Sequence, residues 1–273
     1  MKYSFGLRGH DIADNFNDMC RIAKNNGIEK LQFALAKTVN DINFDEVGYD
    51  SDLSAKIKEE LDKHDLHVSV LGCYINPIAT DKAFLNKQLE RFKNFLYYAR
   101  DFGADAVGTE TGFLSTLEQT HSEENYINFV ENMLPVVKEA EKLGVTVGIE
   151  PVYGCTIYSP QRMRRLIDDI NSENLGVILD VSNMTYPQTR NMQCDIINDS
   201  FDLFGDRIKA IHLKDFTFDK DKKSFAVAGT GELMTELIFD RIRMLNHTPE
   251  IILDETKLSL YNDSLTSLAN IID

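Results

Sequence analysis

The chain has 273 residues, 43% of them hydrophobic and 27% charged, which leaves room for one large domain or two ordinary ones and matches the balance of a soluble globular enzyme. A formal net charge of -15 repels a nucleic-acid phosphate track, and no window reaches the uninterrupted apolar length of a membrane span. Cys20, Cys73, Cys155 and Cys194 form no CxxC pair, and MKYSFGLRGHD turns polar too early for a secretory signal, so reduced thiols in the cytoplasm are expected and a thiolate zinc site is not.

In chain order, YSFGL (3–7) reads as a first strand, followed by Ile12, Phe16, Met19 and Ile22 at helical spacing and closed by Gly27. KLQFAL (30–35) and HVSVLGCYI (67–75) are the second and third strands. Leu85, Leu89, Phe92, Leu96 and Ala99 then predict a helix ending at Gly103. DAVGTE (105–110) is the fourth strand. Thr120 with Glu123 fits a capping box ahead of NYINFVENML, a helix that Pro135 should kink. VTVGIEP (145–151) is the fifth strand, with Ser159 and Pro160 as N-cap and first residue of the helix QRMRRLIDDIN. LGVILDV (175–181), IKAIHL (208–213) and EIILDE (250–255) complete the strands, and KDKK (220–223), interleaved with Asp219 and Asp221, reads as a solvated loop.

Strands that alternate with helices suit a doubly wound sheet or a closed barrel. A Rossmann sheet needs G-x-G-x-x-G after its first strand, and FGLRGHDIAD has Gly6 and Gly9 at the wrong spacing. About 250 residues for eight units is the size of a (β/α)8 barrel. No linker or composition shift marks a second domain. The expected fold is α/β, a single (β/α)8 TIM barrel over residues 1–273.

In such a barrel the C-terminal ends of the strands carry the chemistry. The fifth strand ends on Glu150, the sixth on Asp180, the seventh on His212, and the eighth on Glu255 with Asp254 just before it. One carboxylate closing a strand is ordinarily a cap or a loop residue. Four consecutive tips with metal-competent side chains converge on one axis, and their like charges require a counter-charge that a divalent cation supplies. A structural network with Arg or Lys is the alternative, and no basic residue sits at the fifth or sixth tip to form it.

GIEPV, LDVSNM, AIHLKDF, VAGTGEL and IILDET resemble the xylose isomerase-like TIM-barrel superfamily of sugar-phosphate isomerases and epimerases, most strongly over residues 145–256. The resemblance implies metal ligands at Glu150, Asp180, His212 and Glu255, with Asp254 a one-residue alternative on the opposite side of the strand. Two positions depart from the family. Asn183 stands where many relatives have a histidine, and it can bond a sugar hydroxyl but cannot shuttle a proton near neutrality. Lys214 stands where relatives often place arginine. Relatives commonly pair, which implies a homodimer.

Three oxygen ligands and one nitrogen favour Mn²⁺ or Mg²⁺, with Co²⁺ and Zn²⁺ also compatible. The expected chemistry is proton abstraction beside a carbonyl through an enediolate, with Glu150 and Glu255 as the acid–base pair. Arg8, His10, Gln32, Glu110, Asn183 and Lys214 are the candidate contacts to a carbohydrate substrate, phosphorylated or not. Cys73 or Tyr74 closes the third strand. Gly229–Thr230–Gly231 is a plain glycine turn or a phosphate loop. A dehydratase of a polyol or dehydroshikimate-type acid is the main rival. A sugar-binding barrel without turnover and an abasic-site endonuclease are weaker rivals, because the tips carry a full ligand set and six histidines are too few for a multi-metal cluster.

Overall fold

The computed structural model describes residues 3–39 and 41–272. Its strands are β1 (Phe5–Arg8), β2 (Lys30–Phe33), β3 (His67–Gly72), β4 (Ala106–Thr109), β5 (Val147–Ile149), β6 (Leu175–Leu179), β7 (Ile208–Leu213), β8 (Phe216–Asp219), β9 (Lys222–Phe225) and β10 (Glu250–Leu253). All but β8 and β9 close into a parallel barrel in the order β1-β10-β7-β6-β5-β4-β3-β2. Helices run between successive barrel strands, so the chain is a (β/α)8 TIM barrel, as the alternating pattern predicts.

Side chains alternate between the two faces of each strand. Val70, Ile178 and Ala210 meet as a separate apolar cluster inside the barrel, while the larger core lies between strands and helices. Gly108 makes room for the inner cluster, since a Cβ there would lie 2.6 Å from Ile178 and 2.7 Å from Val70. The inward set continues upward by twos. Ile178 is followed by Asp180, Ala210 by His212 and Lys214, Gly108 by Glu110, and Gly148 by Glu150. Strands β5, β6 and β10 end one residue short of Glu150, Asp180 and Asp254, so each apolar strand delivers a polar residue to the mouth.

The helices mostly follow their sequence signals. Lys82–Phe102 is capped by Asp81 and ends on Gly103 at φ 69°. Ile12 lies in a separate turn, Gly9–Ile12, and the expected first helix is reduced to Phe16–Asn25 with Asn15 as its cap. Extended backbone at Ala13 divides the two. The helix Glu123–Leu143 runs through Pro135 and is capped by Ser122, not Thr120. The Thr120 hydroxyl is used one turn earlier, donating to the Thr116 carbonyl at 2.8 Å and accepting from Leu114 N–H at 2.9 Å.

Ser159 accepts from Arg162 N–H with Pro160 in the first turn, as expected. Ser159→Ala should therefore lower stability by about 1 kcal/mol, read from the urea midpoint at unchanged m-value.

The expected solvated loop at 220–223 is instead part of the β8–β9 hairpin, with Phe216 paired to Phe225 and Asp219 to Lys222. Lys223 turns underneath the hairpin, where its ammonium donates to the Ser182 and Thr185 carbonyls at 2.5 and 3.1 Å and lies 4.2 Å from the Phe216 ring centre. Burial lowers its pKa to about 8. The four cysteines are free thiols. Among the described residues no helix is long and apolar enough to cross a membrane.

Candidate metal centre

Glu150, Asp180 and His212 are all buried and bring ligand atoms within 4.8 Å of one another. Local structure fixes each of them. Asp180 caps the short helix Val181–Met184, its Oδ1 accepting from Asn183 N–H at 2.9 Å, which turns Oδ2 toward the cluster. Asn183 in turn donates from Nδ2 to Glu150 Oε1 at 2.6 Å. Glu150 Oε2 is then 3.5 Å from His212 Nδ1.

Glu255 is not brought into this trio. The inward register of β10 falls on Asp254, and Glu255, one residue further, has φ 52° and a side chain 37% exposed. Arg8 Nη1 binds both acids, Asp254 Oδ1 at 2.8 Å and Glu255 Oε1 at 2.9 Å. Asp254 Oδ2 also lies 2.8 Å from Lys214 Nζ, which is 3.0 Å from Asp180 Oδ2. The basic partners absent from the fifth and sixth tips thus arrive from β1 and the end of β7.

These ion pairs set the titration of the cluster. Burial pushes the Asp180 carboxyl up, against the pull of Lys214 and with help from Glu150 and Asp254. Burial opposes ionisation of Asp254 too, but Lys214, His212 and Arg8 hold its carboxyl well below the usual range. Burial works against the charged forms of Lys214 and His212 as well, yet the surrounding carboxylates raise both.

The trio fits a divalent cation. Both ring nitrogens of His212 and Asp180 Oδ2 are buried without a hydrogen-bond partner, and the Asp180–Lys214 contact is an ion pair only. Buried polar atoms are normally satisfied, and two carboxylates with one imidazole suit Mg²⁺, Mn²⁺, Co²⁺ or Zn²⁺.

The six residues expected to contact substrate all line one cavity of about 220 Å³ at the barrel mouth, together with Lys37, Tyr74, Glu150, His212, Asp254 and Glu255. Gln32 Nε2 donates to the Tyr74 hydroxyl and leaves Oε1 without a partner. His10 has a buried Nδ1 without a partner, and burial beside Lys37 and Arg8 lowers its pKa. A larger cavity of about 1050 Å³ lies between the loops after β3 and β4 and the helix Glu123–Leu143, and none of the converging side chains lines it. Lys37 and Cys155 escape sequence reading because a short helix after β2, Leu35–Thr38, and the loop after β5, not a strand period, bring them near. Lys214 was legible as the next inward position after His212.

Burial and the nearby Glu150 raise the Glu110 pKa to about 7, and the Cys155 thiol lies 3.8 Å from its Oε2. A raised carboxyl contributes stability that is full below its unfolded value of about 4.3 and is lost as pH rises through about 7. In the metal-free protein, the stability advantage of wild type over Glu110→Gln should therefore shrink between those two pH values, measured by urea midpoints across that window.

The sequence matches the family described as "Xylose isomerase-like TIM barrel" over residues 20–270, and the chain belongs to that family. Among curated proteins no sequence matches significantly. Among solved structures, a D-tagatose 3-epimerase-like protein is similar at TM-score 0.79 and 15% identity, covering 99% of this chain and 97% of that one. The IOLI protein with a bound zinc atom is similar at TM-score 0.73 and 14% identity, covering 99% and 98%. The probable 3-DHS dehydratase AsbF of Bacillus anthracis is similar at TM-score 0.73 and 12% identity, covering 99% of each chain. At these identities the likeness is one of fold.

Proposed function

We propose that the protein is a divalent-metal-dependent sugar isomerase or epimerase of the cytoplasm, acting on a small carbohydrate and not on nucleic acid. The observation that carries this reading is the buried trio of Glu150, Asp180 and His212 at the barrel mouth, in which neither ring nitrogen of His212 has a hydrogen-bond partner. The structures of an epimerase-like protein and of a zinc-bound protein on the same fold support it.

Glu150, Asp180 and His212 would hold a divalent cation, Mn²⁺ or Mg²⁺ by donor hardness, which would supply Lewis-acid polarisation of a substrate carbonyl and its neighbouring hydroxyl. Glu150, oriented by Asn183, removes the proton from the carbon beside the carbonyl. Three other carboxyls line the cavity, but Asp254 and Glu255 are tied to Arg8, and Asp254 also to Lys214. Among the described residues Glu110 has no cation within bonding distance, and its pKa lies near neutrality, which suits a group that returns a proton. Gln32, His10 and Asn183 offer hydrogen bonds to hydroxyls.

The test is incubation of metal-loaded protein with a ketose panel in D₂O. Deuterium at C1 assigns isomerisation and at C3 epimerisation, and no exchange across a broad panel overturns the reading. One observation favours a second reading. Glu110, protonated near neutral pH, could equally protonate a departing β-hydroxyl, as a dehydratase requires, and product analysis for an enone separates the two.

A further inference from the structure

We infer that the substrate of this site carries an anionic group, a carboxylate or a phosphate ester, at the end remote from its reacting carbonyl, and that Lys37 receives it. The inference rests on the proposed function and narrows its substrate class from neutral sugars to acidic ones.

Topology sets the direction. In the closed order β1-β10-β7-β6-β5-β4-β3-β2, the trio belongs to β5, β6 and β7, so β2 stands opposite β6 and β1 opposite β5. A substrate held at the trio by its carbonyl and neighbouring hydroxyl therefore extends across the mouth toward β1 and β2. There the short helix Leu35–Thr38 follows β2 directly, seated by the buried Leu35 and Thr38. Lys37, on the same turn, is exposed at the rim and lines the substrate cavity.

Charge balance singles out this lysine. Arg8 is answered by Asp11, Asp254 and Glu255, and Lys214 by Asp180 and Asp254. A divalent cation in the trio would offset Glu150 and Asp180. Among the described residues Lys37 has no carboxylate within ion-pairing distance. Water alone satisfies many exposed lysines, but this one faces other basic groups across the cavity wall. Burial, then Lys37 and Arg8, lower the pKa of His10, whose buried Nδ1 has no hydrogen-bond partner. Glu110 follows β4, across β3 from β2, and its pKa of about 7 leaves it only a partial counter-charge near neutrality. An anion beside Lys37 and His10 relieves their mutual repulsion and gains a charge-assisted hydrogen bond. A chain of net charge -15 repels anions on average, so an acidic substrate needs such a local positive wall.

Two measurements decide the matter. The metal-loaded protein is given ketoses matched in configuration that end in a hydroxymethyl group, a carboxylate or a phosphate ester. One of the two anionic forms should show kcat/KM at least about tenfold above the neutral sugar, mostly through KM, and Lys37→Met should abolish that advantage. The favoured form tells carboxylate from phosphate. A neutral sugar turned over as well as both anionic forms, or an anionic preference that survives Lys37→Met, overturns the inference. Independently of turnover, the His10 ring resonances of chelator-treated protein are followed while acetate or inorganic phosphate is titrated at fixed pH and ionic strength. At least one anion should give a saturable shift in wild type that Lys37→Met removes. No saturable shift with either anion, or the same shift in the variant, overturns the inference. If no sugar reacts, the proposed function fails while the anion titration still tests the role of Lys37.

Discussion

Glu150→Gln is expected to lower kcat/KM on the responsive sugar by about 10²–10⁴-fold, the range of a lost general base. The substitution keeps the size of the side chain and the Asn183 contact at Oε1, so the fold should survive, and circular dichroism checks that it does. Elemental analysis on the same sample separates two losses, since Glu150 is proposed both to ligate and to abstract the proton. Retained metal with lost turnover isolates proton transfer, while joint loss shows that ligation dominates. Asp254→Asn and Glu255→Gln make the companion comparison. Asp254 is buried between Lys214 and Arg8, whereas Glu255 reaches only Arg8 from a half-exposed position. Asp254→Asn should therefore be the more damaging of the pair, and equal losses would argue for a larger role at Glu255.

The second large effect is on stability. Lys214→Met should cost the metal-free protein about 3–5 kcal/mol, the usual penalty for removing one partner of a buried ion pair. Its side chain is 8% exposed, and its ammonium answers both Asp180 at 3.0 Å and Asp254 at 2.8 Å. Without it, Asp180 keeps no ion-pair partner among the described residues. A divalent cation binds only the folded form, so added metal should recover part of the loss, about 2.7 kcal/mol at a hundredfold excess over Kd. Urea titrations with chelator and with metal read both numbers. A variant as stable as wild type in chelator would show that Lys214 is not the counter-charge of Asp180 and Asp254.

Much of the candidate site was legible because barrel geometry maps position in sequence onto position in space. An apolar run that ends in an acid or a histidine places that group at the mouth, which is how Glu150, Asp180 and His212 were found without a structure. Strand eight shows the limit. IILDE offers two adjacent acids, and only the alternation that places Ile252 inward, level with His212, selects Asp254. Thr120 and Ser122 differ for a similar reason, since either could cap a helix and only the extra turn Leu117–His121 decides between them.

The amino-acid sequence by itself determined the barrel, its strand ends and the metal-competent trio, because hydrophobic period and strand-terminal residue type are local properties. Tertiary structure alone decided the partners of those groups. Arg8 and Asp254 are joined from opposite ends of the chain, Lys214 is poised between two acids, and Asp215 closes on glycines more than a dozen residues away. Charge compensation depends on distance through space, and closing the sheet brings first and last strands into contact, a proximity that no local pattern encodes.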